Sequence, residues 1–216
     1  MGSNESRKTL AIQEYIGLFD DIREANHHLT RKLGIDIRKD LLQTGSTALE
    51  DVFIYNAGGK SPPEDLIVQE ANGLILNTNG DIVSMGFKRF YNVHKSHAAL
   101  ISWKNAKAQL MDDGTLVVIY YYKGNWNIQT KERVNGDQSM RDSKITIRLA
   151  VTEVFKAMFN NRPFSPFDGF PNKDMCYVFE YVSPYNKIIT PYSDSSVILL
   201  GVVNKKDLRE IKCRKP

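Results

Sequence analysis

Cysteine is almost absent: the 216 residues hold two, Cys176 inside an apolar, strand-like run and Cys213 near the end. Two thiols so placed exclude a disulfide framework and a four-ligand metal cage, and they point to a reducing compartment. Long apolar runs are missing as well. No stretch approaches the roughly 18 to 20 residues that a membrane span needs, and the opening MGSNESRKTL has nothing like the apolar segment of a secretory signal. Met-Gly-Ser at the start reads as a plain or tag-derived terminus. Dense basic runs are lacking too: 29 Lys and Arg stand against 25 Asp and Glu, a net charge of +4, which tolerates a polyanion without marking a dedicated nucleic-acid tail. With 42% hydrophobic residues the chain can bury a substantial core. The expectation is a globular cytoplasmic protein with no membrane partner, taken as a monomer.

What is present is a change of period along the chain. From about Arg7 to Leu33, Ile12, Tyr15, Ile16, Phe19, Ile22 and Leu29 recur at three- and four-residue steps, which predicts one long amphipathic helix. The adjacent His27 and His28 face different directions on it and read as surface residues rather than metal ligands. AGGKSPPED, Ala57 to Asp65, is a loop by its Gly and Pro content. Beyond it the spacing turns to two, with strands predicted over Leu66 to Val68, Gly73 to Leu76 and Ile82 to Met85, the last pair joined by an Asn79-Gly80 turn.

Ala108 to Lys131 supplies two further strands around Lys123-Gly124-Asn125, and Asp113-Gly114 within it reads as a tight-turn dipeptide. Ser143 to Asn160 returns to helical spacing through Ile147, Val151, Val154, Phe155 and Met158, with Asp142 or Ser143 able to cap it. A Pro- and aromatic-rich loop then leads to the strands MCYVFEYV and SSVILLGVV. No internal repeat is visible. The prediction is one α+β domain built on antiparallel sheet, in which residues 1–65 form a helical segment and loop belonging to the same domain.

Six pieces carry the chemistry, in this order: EANGLIL (Glu70 to Leu76), FKRFYN (Phe87 to Asn92), LMDDGTL (Leu110 to Leu116), QTKE (Gln129 to Glu132), FEYVSPYNKII (Phe179 to Ile189) and VILLGVV (Val197 to Val203). Singly each is weak. The run Phe-Glu-hydrophobic-Val-x-Pro-x-Asn-basic-Ile followed by an Ile-Leu-Leu strand is much more specific. Together the pieces resemble the nucleotidyltransferase domain, with antiparallel sheets flanked by helices, of ATP-dependent RNA ligases of the phage T4 RNA ligase 1-like family. The likeness extends over roughly Leu66 to Lys205, and residues 66–216 would form the nucleotidyltransferase core.

The resemblance implies a function: joining of RNA 5′-phosphate and 3′-hydroxyl ends through a lysyl-AMP and an RNA-adenylate. ATP would donate the AMP, with Mg²⁺ or Mn²⁺, in a cytoplasm that is the host's if the source is viral. It also implies roles for residues. The family's Lys-x-Asp-Gly places the nucleophilic lysine where this chain has Met111. A lysine amine, freed from its proton by desolvation, attacks phosphorus, whereas a thioether of similar length brings neither amine nor charge. The first step is therefore expected to fail in this chain, whether the methionine was introduced or is natural.

Asp113 and Glu180 would be the catalytic carboxylates that orient the water shell of the metal. Leu110, Asp112, Gly114, Asn72, Arg89 and Lys131 would line the nucleotide, with Arg89 and Lys131 opposed to its phosphates. Phe90 and Tyr91 are expected to pack. The departures are Asn72, where many relatives have arginine, and the family's later Glu-Gly and Lys-x-Lys motifs, which are not found before Pro216. They read as truncation of the chain or as a minimal relative. Two other classes stay open: a catalytically dead nucleotide- or RNA-binding relative, and a capping-type guanylyltransferase that uses GTP.

Overall fold

The structure, a computed structural model, describes residues 8–106, 111–141, 143–159, 170, 172–186 and 189–212. Where one long helix was expected there are two, α1 (Ala11–Ile16) and α2 (Ile22–Leu33). Local end signals outweigh the continuous apolar spacing. Gly17 closes the first, the Asp21 carboxylate accepts the Arg23 N–H at 2.8 Å to start the second, and Gly34 in the left-handed conformation stops it. Ile12, Ile16, Ile22, Ala25 and Leu29 are the buried face.

A hairpin follows that the period-two reading did not detect: β1 (Ile35–Thr44) and β2 (Ala48–Ala57), paired antiparallel along their length. Val52, Phe53, Ile54 and Tyr55 are all buried, so alternation is erased. Both faces of β2 are covered. Tyr55 reaches α2, donating to Asn26 Oδ1 at 2.8 Å, while Asn56 reaches across to Lys131 on the other side. Leu66 to Val68, predicted as a strand, lies instead in a short helix, α3 (Leu66–Glu70), because the Asp65 carboxylate caps it at the Ile67 N–H. The predicted hairpin around Asn79-Gly80 is present as β3 (Asn72–Asn77) and β4 (Ile82–Ser84). These strands form sheet A, in the order β1-β2-β3-β4.

The second predicted hairpin is β5 (Thr115–Tyr122) and β6 (Asn125–Thr130), turning at Lys123-Gly124. α4 (Ile147–Met158) lies where the spacing put it, but Thr146 caps it, through Oγ1 to the Leu149 N–H, in place of Ser143. Asp142, the alternative cap, and Cys213 lie outside the described residues. β7 (Met175–Val182), β8 (Ser196–Asn204) and β9 (Glu210–Lys212) complete sheet B, in the order β6-β5-β7-β8-β9, all antiparallel.

The architecture is α+β, as expected, with two antiparallel sheets. One apolar cluster joins α1, α2 and sheet A to the inner face of sheet B; a second joins the outer face of sheet B to α4. Among the described residues no helix is long and apolar enough to cross a membrane.

Candidate active site

Side chains alternate along β5: Leu116, Val118 and Tyr120 pack toward sheet A, Val117 and Ile119 toward α4. Strand register carries that alternation to the neighbours. Val118 pairs with Gln129 of β6 and Val178 of β7, and Val178 pairs with Gly201 of β8. One row nearer the open end of the sandwich, Leu116 pairs with Glu180, which pairs with Ile198. Lys131 stands one residue past the last β6 pair, Thr130 with Val117, in line with Leu116. Lys131 and Glu180 thus flank one central strand, their backbones about 10 Å apart at the usual strand spacing. Glu180 is half-buried and Lys131 exposed.

Sheet A closes over this row through two amide side chains. Asn56 Nδ2 donates to Lys131 O at 2.8 Å while its Oδ1 accepts the Gly73 N–H at 2.9 Å, and Gln129 Nε2 donates to Gly73 O at 2.5 Å. Gly73 has φ +74°, a conformation that favours glycine, and a Cβ there would press on Gln129 Nε2 at 3.3 Å where the two sheets meet. Neither Asn56 nor Gln129 was visible as a site residue in the sequence, where the only signal is an amide set in an apolar strand. Beside Lys131 a cleft of about 510 Å³ opens, lined among others by Asp36, Arg38, Asn56 and Glu132.

Asn72, next to Gly73, donates from Nδ2 to Phe87 O at 3.1 Å and so fixes the FKRFYN segment over the same end. Arg89 is anchored by its backbone N–H on Gln69 O at 2.8 Å, with its guanidinium 5.5 Å from the Tyr91 ring centre. Lys88, which no motif singled out, is engaged by Glu70 at 3.1 Å; the buried Glu70 also accepts the Ile12 N–H. Tyr91 is half-buried, as expected. Phe90 is not packed: it is 79% exposed, in the irregular chain beyond β4.

The approach to β5 differs from the tight turn that Asp-Gly predicted. Gly114 does not take the left-handed conformation. What excludes a side chain there is proximity, since a Cβ would lie 2.3 Å from the Tyr181 carbonyl oxygen. Asp113 is bound to the loop between β7 and β8: its Oδ2 accepts the N–H groups of Ile189 at 2.5 Å and Thr190 at 2.6 Å, and its own N–H donates to Tyr192 Oη at 3.0 Å. Asn186 Nδ2 adds a 2.6 Å bond to Thr115 Oγ1. Met111 is 87% exposed and Asp112 half-buried; Leu110 lies outside the described residues.

Asn72, Lys131, Glu180 and the strand entry at Gly114 are therefore brought to one end of the sandwich. The Asp113 carboxylate is turned to the 189–190 backbone. Among the described residues no three His, Cys, Asp or Glu side chains are grouped as a resident cation would need.

At the far end, Lys205 Nζ donates to Tyr121 O at 2.7 Å and Val83 O at 3.4 Å, and burial holds its ammonium below the usual lysine range. Burial pushes the nearby Cys176 thiol up.

A family model described as RNA ligase, of the T4 RNA ligase 1 type, matches residues 70–215. An RNA ligase of Rhodothermus phage RM378 is 33% identical over 94 residues, 42% of this chain. A protein of Autographa californica nuclear polyhedrosis virus described as a bifunctional polynucleotide kinase/RNA ligase is 26% identical over 147 residues, 61% of this chain. In each case the match spans 21% of the relative's length.

Proposed function

Because the chain belongs to the T4 RNA ligase 1-like family of RNA ligases, we propose that it is the nucleotidyltransferase part of an ATP-dependent ligase that joins RNA 5′-phosphate to 3′-hydroxyl ends. The observation that carries the reading is the single cross-strand row, Lys131, Leu116 and Glu180, lying under Asn72 and Gly73 with the Met111–Gly114 approach entering its central strand. ATP would lie over that row, its phosphates toward Arg89 and Lys131, whose positive charges oppose the charge that develops on a transferring phosphoryl group. The divalent cation is read as part of the substrate, arriving on the ATP phosphates, with Glu180 and Asp113 near it through water.

The chemistry in such a site has three steps. An amine attacks the α-phosphorus and pyrophosphate leaves; an RNA 5′-phosphate oxygen takes the AMP from the phosphoramidate; a 3′-hydroxyl attacks that 5′-phosphate and AMP departs. Met111 has no amine, so the first step does not run in this chain, and its exposed thioether leaves the attacker's position chemically silent. A nucleotide- or RNA-binding protein without ligase activity is the second reading. It is favoured by the commitment of Asp113 Oδ2 to two backbone amides.

Two measurements test this. Calorimetry should show ATP with Mg²⁺ binding the present chain, in preference to GTP. In the full-length protein Met111→Lys should give a covalent adduct of one AMP on an intact-mass spectrum. ATP binding without an adduct would support the binding-protein reading; no ATP binding would sink the ligase reading and the nucleotide-binding form of the second.

A further inference from the structure

The stretch from β4 to Met111 holds the whole positive excess of the chain, before Asp112 and Asp113 lead into β5. From Ile82 to Met111, 30 residues, there are five Lys or Arg and no Asp or Glu; the other 186 residues hold 24 of the first kind and 25 of the second, a net −1. This segment is also where large side chains face water. Phe90 is 79% exposed, Trp103 is 71% exposed and Leu100 is fully exposed. Burying such rings is strongly favourable, so aromatic side chains left open beside cations mark a surface built to be covered.

The segment is pinned where it leaves the candidate site. Phe87 O accepts from Asn72, the Arg89 N–H donates to Gln69 O, and the Tyr91 ring meets His97 edge-on at 4.3 Å. Phe90 and Trp103 are therefore carried outward from the rim of the site.

We propose that Lys88 to Ala106 is a docking surface for single-stranded RNA, with Phe90 and Trp103 as platforms on which bases stack and Lys95 and Lys104 as phosphate partners, Arg89 being turned to the ATP phosphates. Lys88 is left out of the phosphate set because Glu70 already holds it. The choice of RNA rests on the ligase reading; the surface itself rests on charge and exposure. A single strand is specified because a base in a duplex has no free face to offer a ring, whereas an unpaired one does. An anionic membrane is the other basic-aromatic partner. It fits less well, since interfacial binding uses the apolar face of an amphipathic helix and the only regular piece here is a three-residue 3-10 turn, Trp103–Asn105.

The test is fluorescence anisotropy on the full chain with a short 5′-phosphorylated single-stranded RNA, the same RNA as a duplex, and phosphatidylserine vesicles. Phe90→Ala and Trp103→Ala should each weaken single-strand binding by roughly tenfold or more. Lys95→Ala with Lys104→Ala should flatten the log–log salt slope by about 1.4. All four side chains project from the fold, so thermal melting should be unchanged and the loss specific.

Unaltered affinity in the aromatic variants, duplex binding equal to single-strand binding, or tighter binding to vesicles than to RNA would each overturn the proposal. ATP calorimetry separates this from the ligase reading. If ATP fails to bind while RNA affinity still depends on Phe90 and Trp103, the surface stands and the ligase falls. If ATP binds while RNA affinity ignores both rings, the reverse holds.

Discussion

Asp113 holds two consecutive backbone amides with one oxygen, and this makes the residue a brace before it is anything else. Hydrogen bonds to an ionised acceptor are among the stronger ones in a protein, worth about 1.5–3 kcal/mol when lost. Asp113→Ala should therefore destabilise the chain by about that amount, and hydrogen exchange at the Ile189 and Thr190 amides should rise sharply. Asp113→Asn, which keeps an acceptor oxygen, should restore most of the protection. A carboxylate serving only to orient metal-bound water would leave those two amides unmoved in both variants. The sequence could not show this brace, because the partners are backbone groups 76 and 77 positions away. Gly114 teaches the same lesson. Its identity is legible as a rule about turns, but the rule that applies is steric and is imposed by Tyr181, a residue from another strand.

Elements were legible where one face meets water or where local caps agree with the spacing. β3 with β4, β5 with β6, α4, β7 and β8 all lie where pattern and turn residues placed them. β1 with β2 leaves no alternating pattern because Val52 to Tyr55 are buried on both sides, and α3 is not distinguishable by pattern because three apolar residues suit strand and helix alike. The contacts that join elements lay outside the pattern altogether. Lys205, after β8, ties β4 to β5 by donating to Val83 O and Tyr121 O from a half-buried position.

That tie has a pH signature. Burial lowers the folded pKa of Lys205 from its ordinary 10.5, so between the two values the unfolded chain binds more protons and stability rises with pH. Cys176 acts with the opposite sign: its thiol is pushed above the ordinary 9.0, and stability falls as pH climbs past that value. Lys205→Met removes the first effect and also the positive charge that holds the Cys176 thiol down, so both changes cost the variant stability relative to the native chain as pH climbs. The stability of the native chain relative to this variant, read from urea midpoints, should increase between pH 7.5 and pH 10. A constant difference would mean that the ammonium is not desolvated.

At the scale of the molecule, sheet B has no wet face along its centre. Val118, Tyr120, Cys176 and Val178 are buried against sheet A, and Val117, Ile119, Tyr177 and Phe179 against α4. Sheet A is covered in turn by α1 and α2, whose Leu29 and Ile12 are buried in the same cluster as Val118. Removing any layer would expose a continuous apolar surface on the next, so no layer has a stable folded state without its neighbour. The candidate site requires the same coupling, because Asn72 and Gly73 come from one sheet and Glu180 and Lys131 from the other.

The chain should accordingly unfold in one transition. Trp126 reports on the outer side of sheet B, where it packs with Tyr121, Phe170 and Tyr177. Ile75 is fully buried in the cluster on the opposite side of that sheet. Ile75→Ala should destabilise the protein by about 2–5 kcal/mol. It should move the urea midpoint read by tryptophan fluorescence as far as the one read by far-ultraviolet circular dichroism. Ile119→Ala, which opens the α4 side instead, should shift both midpoints together in the same way. If Ile75→Ala lowers the dichroism midpoint and leaves the tryptophan midpoint in place, the two sheets fold independently. A nucleotide held between them would then have to join the layers itself, and saturating ATP would merge the two transitions into one.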